Sequence, residues 1–432
     1  MCASLALALL IGASTQAQEE FAAKTAPIDK RYQEELKSLL QQPVIKSAFQ
    51  FIMDLEPQTQ QDLITLTEIP APPYKEEKRA AKFMEMMKAA GVDSIWTDAA
   101  GNVIGIRRGR SGKKTVVLEG HLDTVFPEGT DVTVKHRGDT LAAPGIGDDT
   151  RGLALVLAVL KAMNKAKVQT DATVLFAGVV GEEGLGDLRG TKQLLNNDGL
   201  KVDSYIAVDG GAISSITTGG LGSHRYHITF HGPGGHSYGA FGLANPHNAL
   251  GRAIGYFVAD ADTFTRKGIR TSYNVGRIGG GTSVNAIPFE SWMEVDMRSE
   301  SPDRLKGIDT LLQKAIRRAL AEENKMKRAG SDLTVEVKMV GDRPSGVEES
   351  SMPIVQRAMA AAATLGAASP RLTIGSTNSN IPISKGIPAV TIGRGGAGGG
   401  AHALTEWWMN EKGHVAIQNA LLLLVSEAGL AK

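Results

Sequence analysis

The chain has 432 residues, 42% hydrophobic and 22% charged, enough for two domains with substantial cores. Its formal net charge of +1 argues against a nucleic-acid or anionic-membrane partner. The single cysteine, Cys2, rules out an intrachain disulfide or a multi-thiolate zinc site.

Residues Ser4 to Ala13 form a short apolar run followed by STQAQ, with Thr15 and Ala17 at the small positions of a secretory cleavage site. A run of about ten residues is too short to span a bilayer. Residues 1–17 therefore read as a signal peptide cut after Ala17, although no Lys or Arg precedes the run. This predicts a secreted or periplasmic protein, whereas a buried N-terminal helix would leave it cytoplasmic. Two helical stretches follow, Ile28 to Leu40 and Ser47 to Leu55, placed to cover one side of a sheet.

Thr115 to Leu118 is an apolar strand that runs out into EGHLDTVFP. Side chains alternate along a strand, so His121 and Asp123 point to the same side. Strand ends of parallel α/β sheets are where ligands bind, and His with Asp suits a divalent transition metal. Alone, the pair is equally an ordinary surface turn. Next, GIGDDTRG places Asp148 and Asp149 in a glycine-rich turn before an apolar helix, Leu153 to Ala162. The strand Thr173 to Val180 leads into Glu182 and Glu183, which as neighbours face opposite ways. One carboxylate can bind a metal while the other stays free for proton transfer. Strand Ser204 to Val208 ends at Asp209 and two glycines, and strand Ala389 to Ile392 leads into a glycine-rich loop that delivers His402. Taken singly, Asp149, Asp187 and Glu406 read as turn formers, helix caps or solvated charges.

Between Ile216 and Val340 the pattern changes. It reads strand (His224 to His231), helix (Pro246 to Val258), two strands (Ser272 to Ile278, Phe289 to Arg298), helix (Pro302 to Glu323) and strand (Leu333 to Met339). This βαββαβ order predicts a ferredoxin-like unit. His224, His227 and His231, at irregular strand spacings, read as structural. His236 reads as a loop histidine and Arg298 as a partner of Glu294 or Asp296. Two histidines with three or more carboxylates, each ending an apolar segment, suit two divalent ions, because a carboxylate can bridge metals roughly 3.5–4 Å apart.

From about residue 45 to the end, these ordered motifs resemble the zinc-dependent exopeptidases and amidohydrolases grouped with carboxypeptidase G, aminoacylase-1, succinyl-diaminopimelate desuccinylase and peptidase T. The resemblance implies an α/β fold with a mixed-sheet catalytic domain in two parts, residues 28–215 and 343–432. A ferredoxin-like α+β lid and dimerisation domain, residues 216–342, would be inserted between them. It implies two zinc ions, one held by His121, Asp148 and Asp209, the other by Asp148, Glu183 and His402, with Asp148 bridging. Cobalt or manganese would also suit imidazole and carboxylate ligands. Glu182 matches the family's general base, and Asp123 matches the acid that orients His121 and raises its basicity. His236, in GPGGHSYG, would reach the active site and donate to the oxyanion, in several relatives from the partner subunit of a homodimer. Asn285 and Arg298 would clamp the substrate's terminal carboxylate. An Asp at position 209 resembles the peptidase T and dipeptidase side of the group. Asn378 stands where relatives usually carry Asp, which bears on recognition of the substrate's amine or on a supporting contact.

The expected activity is that of a di-zinc exopeptidase acting on short peptides, either an aminopeptidase-type di- or tripeptidase or a carboxypeptidase. Zinc lowers the pKa of a bound water, and Glu182 would take its proton and return it to the departing amine. The alternative within the enzymes is an N-acyl amino acid amidohydrolase. A non-catalytic peptide-binding homologue would leave Glu182 without a purpose.

Overall fold

The computed structural model describes residues 24–196 and 200–431. The leader expected at residues 1–17 lies outside the described residues. Among the described residues, no helix is long and apolar enough to cross a membrane.

Four apolar runs, Thr173–Val179, Thr115–His121, Ser204–Val208 and Ala389–Ile392, pair in that order, all parallel. Only Thr115 and Thr173 in them escape full burial, as expected of parallel strands covered on both faces. They are the centre of a nine-stranded mixed sheet. Val103–Arg107 and Ser94–Thr97 extend it antiparallel on one side, and Ser215–Gly220, Gly346–Val347 and Arg371–Gly375 on the other.

Helix Gly152–Lys165 is apolar all round and buried from Gly152 to Leu160, the behaviour of a helix enclosed by its neighbours. Its core also takes Tyr32 and Leu36 from Lys30–Gln41 and Ile45 and Ile52 from Pro43–Asp54. Each such side chain contributes about 1.5–3 kcal/mol when fully buried. The leading helices thus cover one side of the sheet as expected, and a third, Glu56–Thr67, continues them.

The inserted segment forms its own antiparallel sheet in the order Thr271–Gly280, Glu290–Ser299, Gly222–His231, Thr334–Arg343. Numbered along the insert this is 2-3-1-4, the ferredoxin-like order, with Pro246–Thr265 and Pro302–Met326 packed on it around a separate core. Asn245 and Ser301 cap those helices by accepting from the backbone N–H of His247 and Arg304. One boundary differs from the expectation. Ser215–Gly220, expected to open the insert, pairs instead with Ala389–Ile392 and Arg371–Gly375 in the large sheet. At the other end, the last strand of the insert runs through Arg343. Polar contacts tie the insert to the loop after Glu183: Arg225 Nη1 donates to the Gly184 carbonyl at 2.6 Å, and the Asp342 N–H donates to Asp187 at 2.7 Å.

Candidate active site

The four parallel strands present their C-terminal ends at one edge of the sheet, the usual ligand position in such folds. His121 closes its strand and Asp209 follows Val208 directly. His121 Nε2 lies 3.2 Å from Asp148 Oδ1, and His402 Nε2 lies 3.3 Å from Asp148 Oδ2 and 3.0 Å from Glu183 Oε1. Ligand-type atoms of His121, Asp148 and Asp209 fall within 4.8 Å of one another, as do those of Asp148, Glu183 and His402. Asp148 belongs to both groups. Glu182 lies beside them, grouped with His121 and Glu183.

The surrounding residues explain why these side chains converge. Asp123 is fully buried, and its carboxylate accepts the backbone N–H of Glu182 at 3.0 Å and of Glu183 at 2.8 Å. His121 Nδ1 lies 3.0 Å from the Asp123 carbonyl and 3.6 Å from its carboxylate, which turns Nε2 toward Asp148. Glu406 accepts the N–H groups of Gly145, Gly147 and Asp148 at 2.7–2.8 Å, so this acid shapes the loop that carries Asp148. Asp149 is likewise no solvated charge: it is buried and accepts the His121 N–H at 3.0 Å. A Cβ at Gly152 would meet the Asp149 carboxylate at 2.3 Å, so only glycine admits it. His402 holds φ at 66°, a left-handed conformation costly for a non-glycine residue and typical of functional positions.

The charge balance of the cluster suits cations. Five carboxylates (Asp148, Asp149, Glu182, Glu183, Asp209) face two guanidinium groups, Arg343 and Arg394. Burial pushes the Asp149 and Asp209 carboxyls up, and neighbouring carboxylates add to the rise. Burial acts the same way on Asp148, but Arg394, His121 and His402 outweigh it and hold that carboxyl well below its ordinary range. The bonds to Asp148 and Glu183 raise His402 to about 10. A metal at these imidazoles would displace that proton, as ligation requires the neutral ring. The donor set of imidazole nitrogens and carboxylate oxygens therefore fits two divalent ions sharing Asp148.

Residues 117–426, well over half of the chain, match the sequence profile of peptidase family M20/M25/M40. The chain belongs to this family. The cytosol non-specific dipeptidase of Escherichia coli is 27% identical over 315 residues, 63% of this chain and 60% of that protein, so the match spans under two thirds of its length. A tripeptidase from Staphylococcus aureus shares the fold with a TM-score of 0.69 at 22% identity, over 86% of this chain and 98% of that one. The dipeptidase Dug1p of Saccharomyces cerevisiae does so at 0.68 and 18%, over 89% and 99%. The M20/M25/M40 match begins within strand Thr115–His121 and takes in every residue of both ligand groups.

The remaining expected residues divide. Arg298 lines a cavity of about 480 Å³ together with Glu182, Asp148 and Asp209, and it also pairs with Asp296 at 2.8 Å. His236, on a short two-stranded ribbon, and Asn285, in the turn just before its second strand, are exposed and line no cavity that contains the cluster. Asn378 is buried behind the site, accepting from Thr191 Oγ1 at 2.7 Å and donating to Glu119 at 3.3 Å, so it is a supporting contact rather than a pocket residue. His224, His227 and His231 pair on the insert with Asp309, Glu294 and Glu336.

Two arginines were not foreseen. Arg394 Nη1 lies 3.2–3.4 Å from Asp148, Asp149 and Asp209. Burial alone would weaken its hold on the proton, but those three acids reverse the effect and keep it a permanent cation. Arg343 Nη1 lies 3.2 Å from Glu182 Oε1 and 2.8 Å from Ser376 Oγ, and its Nη2 donates to the Glu182 carbonyl. Burial raises the Glu182 carboxyl to about 8, and Arg343 is the largest influence opposing that rise. Removing this guanidinium should therefore raise the pKa of Glu182. Arg343→Met is accordingly expected to move any activity limb that reports deprotonation of Glu182 to higher pH, with Arg343→Lys intermediate. A limb unmoved in both variants would contradict this role.

Proposed function

We propose that the protein is a di-zinc exopeptidase that hydrolyses amide bonds of short peptides, di- and tripeptides foremost. The observation that carries this is the meeting of two ligand groups at Asp148, with Glu182 in the wall of the adjoining cavity. Bound in those groups, divalent cations would lower the pKa of a water and polarise an amide carbonyl. Glu182 accepts the proton of the attacking water as its oxygen bonds to the carbonyl carbon, then passes that proton to the amine nitrogen as the C–N bond breaks. Arg343 holds the Glu182 carboxylate in place. Arg298, in the same cavity wall, matches a terminal carboxylate by its planar fork.

A homodimer belongs to the same reading. His236 and Asn285 line no cavity at the acid cluster of their own subunit, so a role at the site calls for the partner's copies. Strand Thr271–Gly280, an edge strand with Ile278 64% exposed, supports such an interface. Export rests on the run at Ser4 to Ala13 alone.

The N-acyl amino acid hydrolase reading shares this arginine-bearing cavity, so the two part at the substrate's amino end. A zinc-loaded preparation is assayed on a free dipeptide, its N-acetyl form and its C-terminal amide. The proposal expects the free dipeptide to be cleaved fastest and the amide at least about tenfold more slowly, since a site that binds a carboxylate discriminates against its absence. An N-acetyl form cleaved fastest would replace the dipeptidase reading, with the deacylase one if acetate is released and with the carboxypeptidase one if the C-terminal residue is, and no cleavage of any of the three would reject all of them.

A further inference from the structure

The two ligand groups differ in the charge beside them. Asp148 turns Oδ1 toward His121 at 3.2 Å and Oδ2 toward His402 at 3.3 Å. Arg394 Nη1 sits on the Oδ1 side, 3.3 Å from that oxygen and 3.2 Å from Asp209 Oδ1, so one guanidinium touches both carboxylates of the His121 group. Asp149 adds a third contact at 3.4 Å. Among the described residues, Glu183 of the other group pairs with His402 and with no arginine or lysine, and Arg343 bonds to Glu182 instead.

The fold fixes Arg394 in this position. Its N–H donates to the Gly210 carbonyl at 3.2 Å and the N–H of Gly395 to the Gly211 carbonyl at 2.9 Å, which fastens its main chain to the turn after Asp209. The side chain is 12% exposed, and a guanidinium does not give up its proton in proteins. A divalent ion held by His121, Asp148 and Asp209 would therefore share two of its three ligands with a fixed positive charge, at the short range where like charges repel most. An ion held by Asp148, Glu183 and His402 would share one.

We propose that Arg394 makes the two ion sites unequal, so that the His121–Asp148–Asp209 group holds its ion more weakly and releases it first. The inference rests on the two-ion reading above. Once that ion has left, the same guanidinium still matches Asp148 and Asp209, which keeps the acid cluster balanced in the one-ion protein.

The test reads occupancy rather than turnover. The full chain is equilibrated in zinc buffers of graded free concentration, and ions per chain are measured by inductively coupled plasma mass spectrometry. Histidine variants separate the groups without repulsion between two ions: His402→Ala leaves the Arg394-bearing group intact, and His121→Ala leaves the other. Half-occupancy is expected to need at least about tenfold more free zinc in His402→Ala than in His121→Ala. Arg394→Gln keeps an N–H donor and removes the charge. Added to His402→Ala it is expected to lower the zinc needed about tenfold, and to change it less when added to His121→Ala. Arg394→Lys should leave both backgrounds near their starting values. Equal or reversed affinities in the two histidine variants would overturn the proposal, as would an Arg394→Gln effect no larger in His402→Ala than in His121→Ala. Should Arg394→Gln not fold by circular dichroism, the comparison of the two histidine variants decides. Wild type that saturates below two ions would instead defeat the two-ion reading, and the proposal then stands only if Arg394→Gln admits one ion more.

Discussion

Glu182→Gln is expected to lower kcat by about 10²–10⁴-fold, the usual contribution of a positioned general base, with the bound metal unchanged. The side chain is 5% exposed, lines the cavity beside Asp148 and Asp209, and is held by Arg343 at 3.2 Å. Its neighbour Glu183 lines the same cavity and reaches His402 at 3.0 Å. This arrangement supports the proposed division between proton transfer by Glu182 and metal ligation by Glu183. Glutamine keeps the shape and an acceptor for Arg343 but cannot take the proton. Steady-state kinetics on a cleaved dipeptide, paired with elemental analysis, read both halves of the expectation. Normal turnover in this variant would refute the assigned base.

Asp148→Ala is expected to abolish detectable turnover, a larger effect than loss of either histidine. Asp148 alone joins the two ligand groups, with one oxygen 3.2 Å from His121 and the other 3.3 Å from His402. Its removal also leaves Arg394 with two of its three acid partners. A folded Asp148→Ala protein, verified by circular dichroism, that kept activity within about tenfold of His121→Ala would contradict a bridging role.

Most of the metal-type residues were legible from the strands before them: His121 closes an apolar strand, Asp209 follows one directly, Glu183 lies just beyond one, and a glycine-rich loop carries His402 from another. The insert was legible for a related reason, since its switch between two-residue and helical periodicity survives without any knowledge of partners. Arg343 and Arg394 were not legible. Their partners, Glu182 and Asp209, lie 161 and 185 residues away, and an arginine at a strand end or in a glycine loop carries no local mark of the acid it will meet. Ser215–Gly220 was assigned to the insert because a six-residue strand reveals nothing of its partners, one of which begins at Ala389. The small sheet formed by Ala397–Gly399, Trp407–Met409, Thr140–Ala142 and Lys135–Arg137 escaped notice because three residues are too few to show alternation. Glu406 was read as an ordinary turn acid. It does shape a turn, but the turn is the one that positions Asp148.

The central claim, two metal ions sharing Asp148, is tested most directly by metal content. Wild type, His121→Ala, His402→Ala and Asp148→Ala are loaded with zinc, dialysed against metal-free buffer and analysed by inductively coupled plasma mass spectrometry. The account predicts two ions per chain in wild type, one in each histidine variant and none in Asp148→Ala. One ion in wild type, or an Asp148→Ala protein that retains as much metal as the histidine variants, would contradict it.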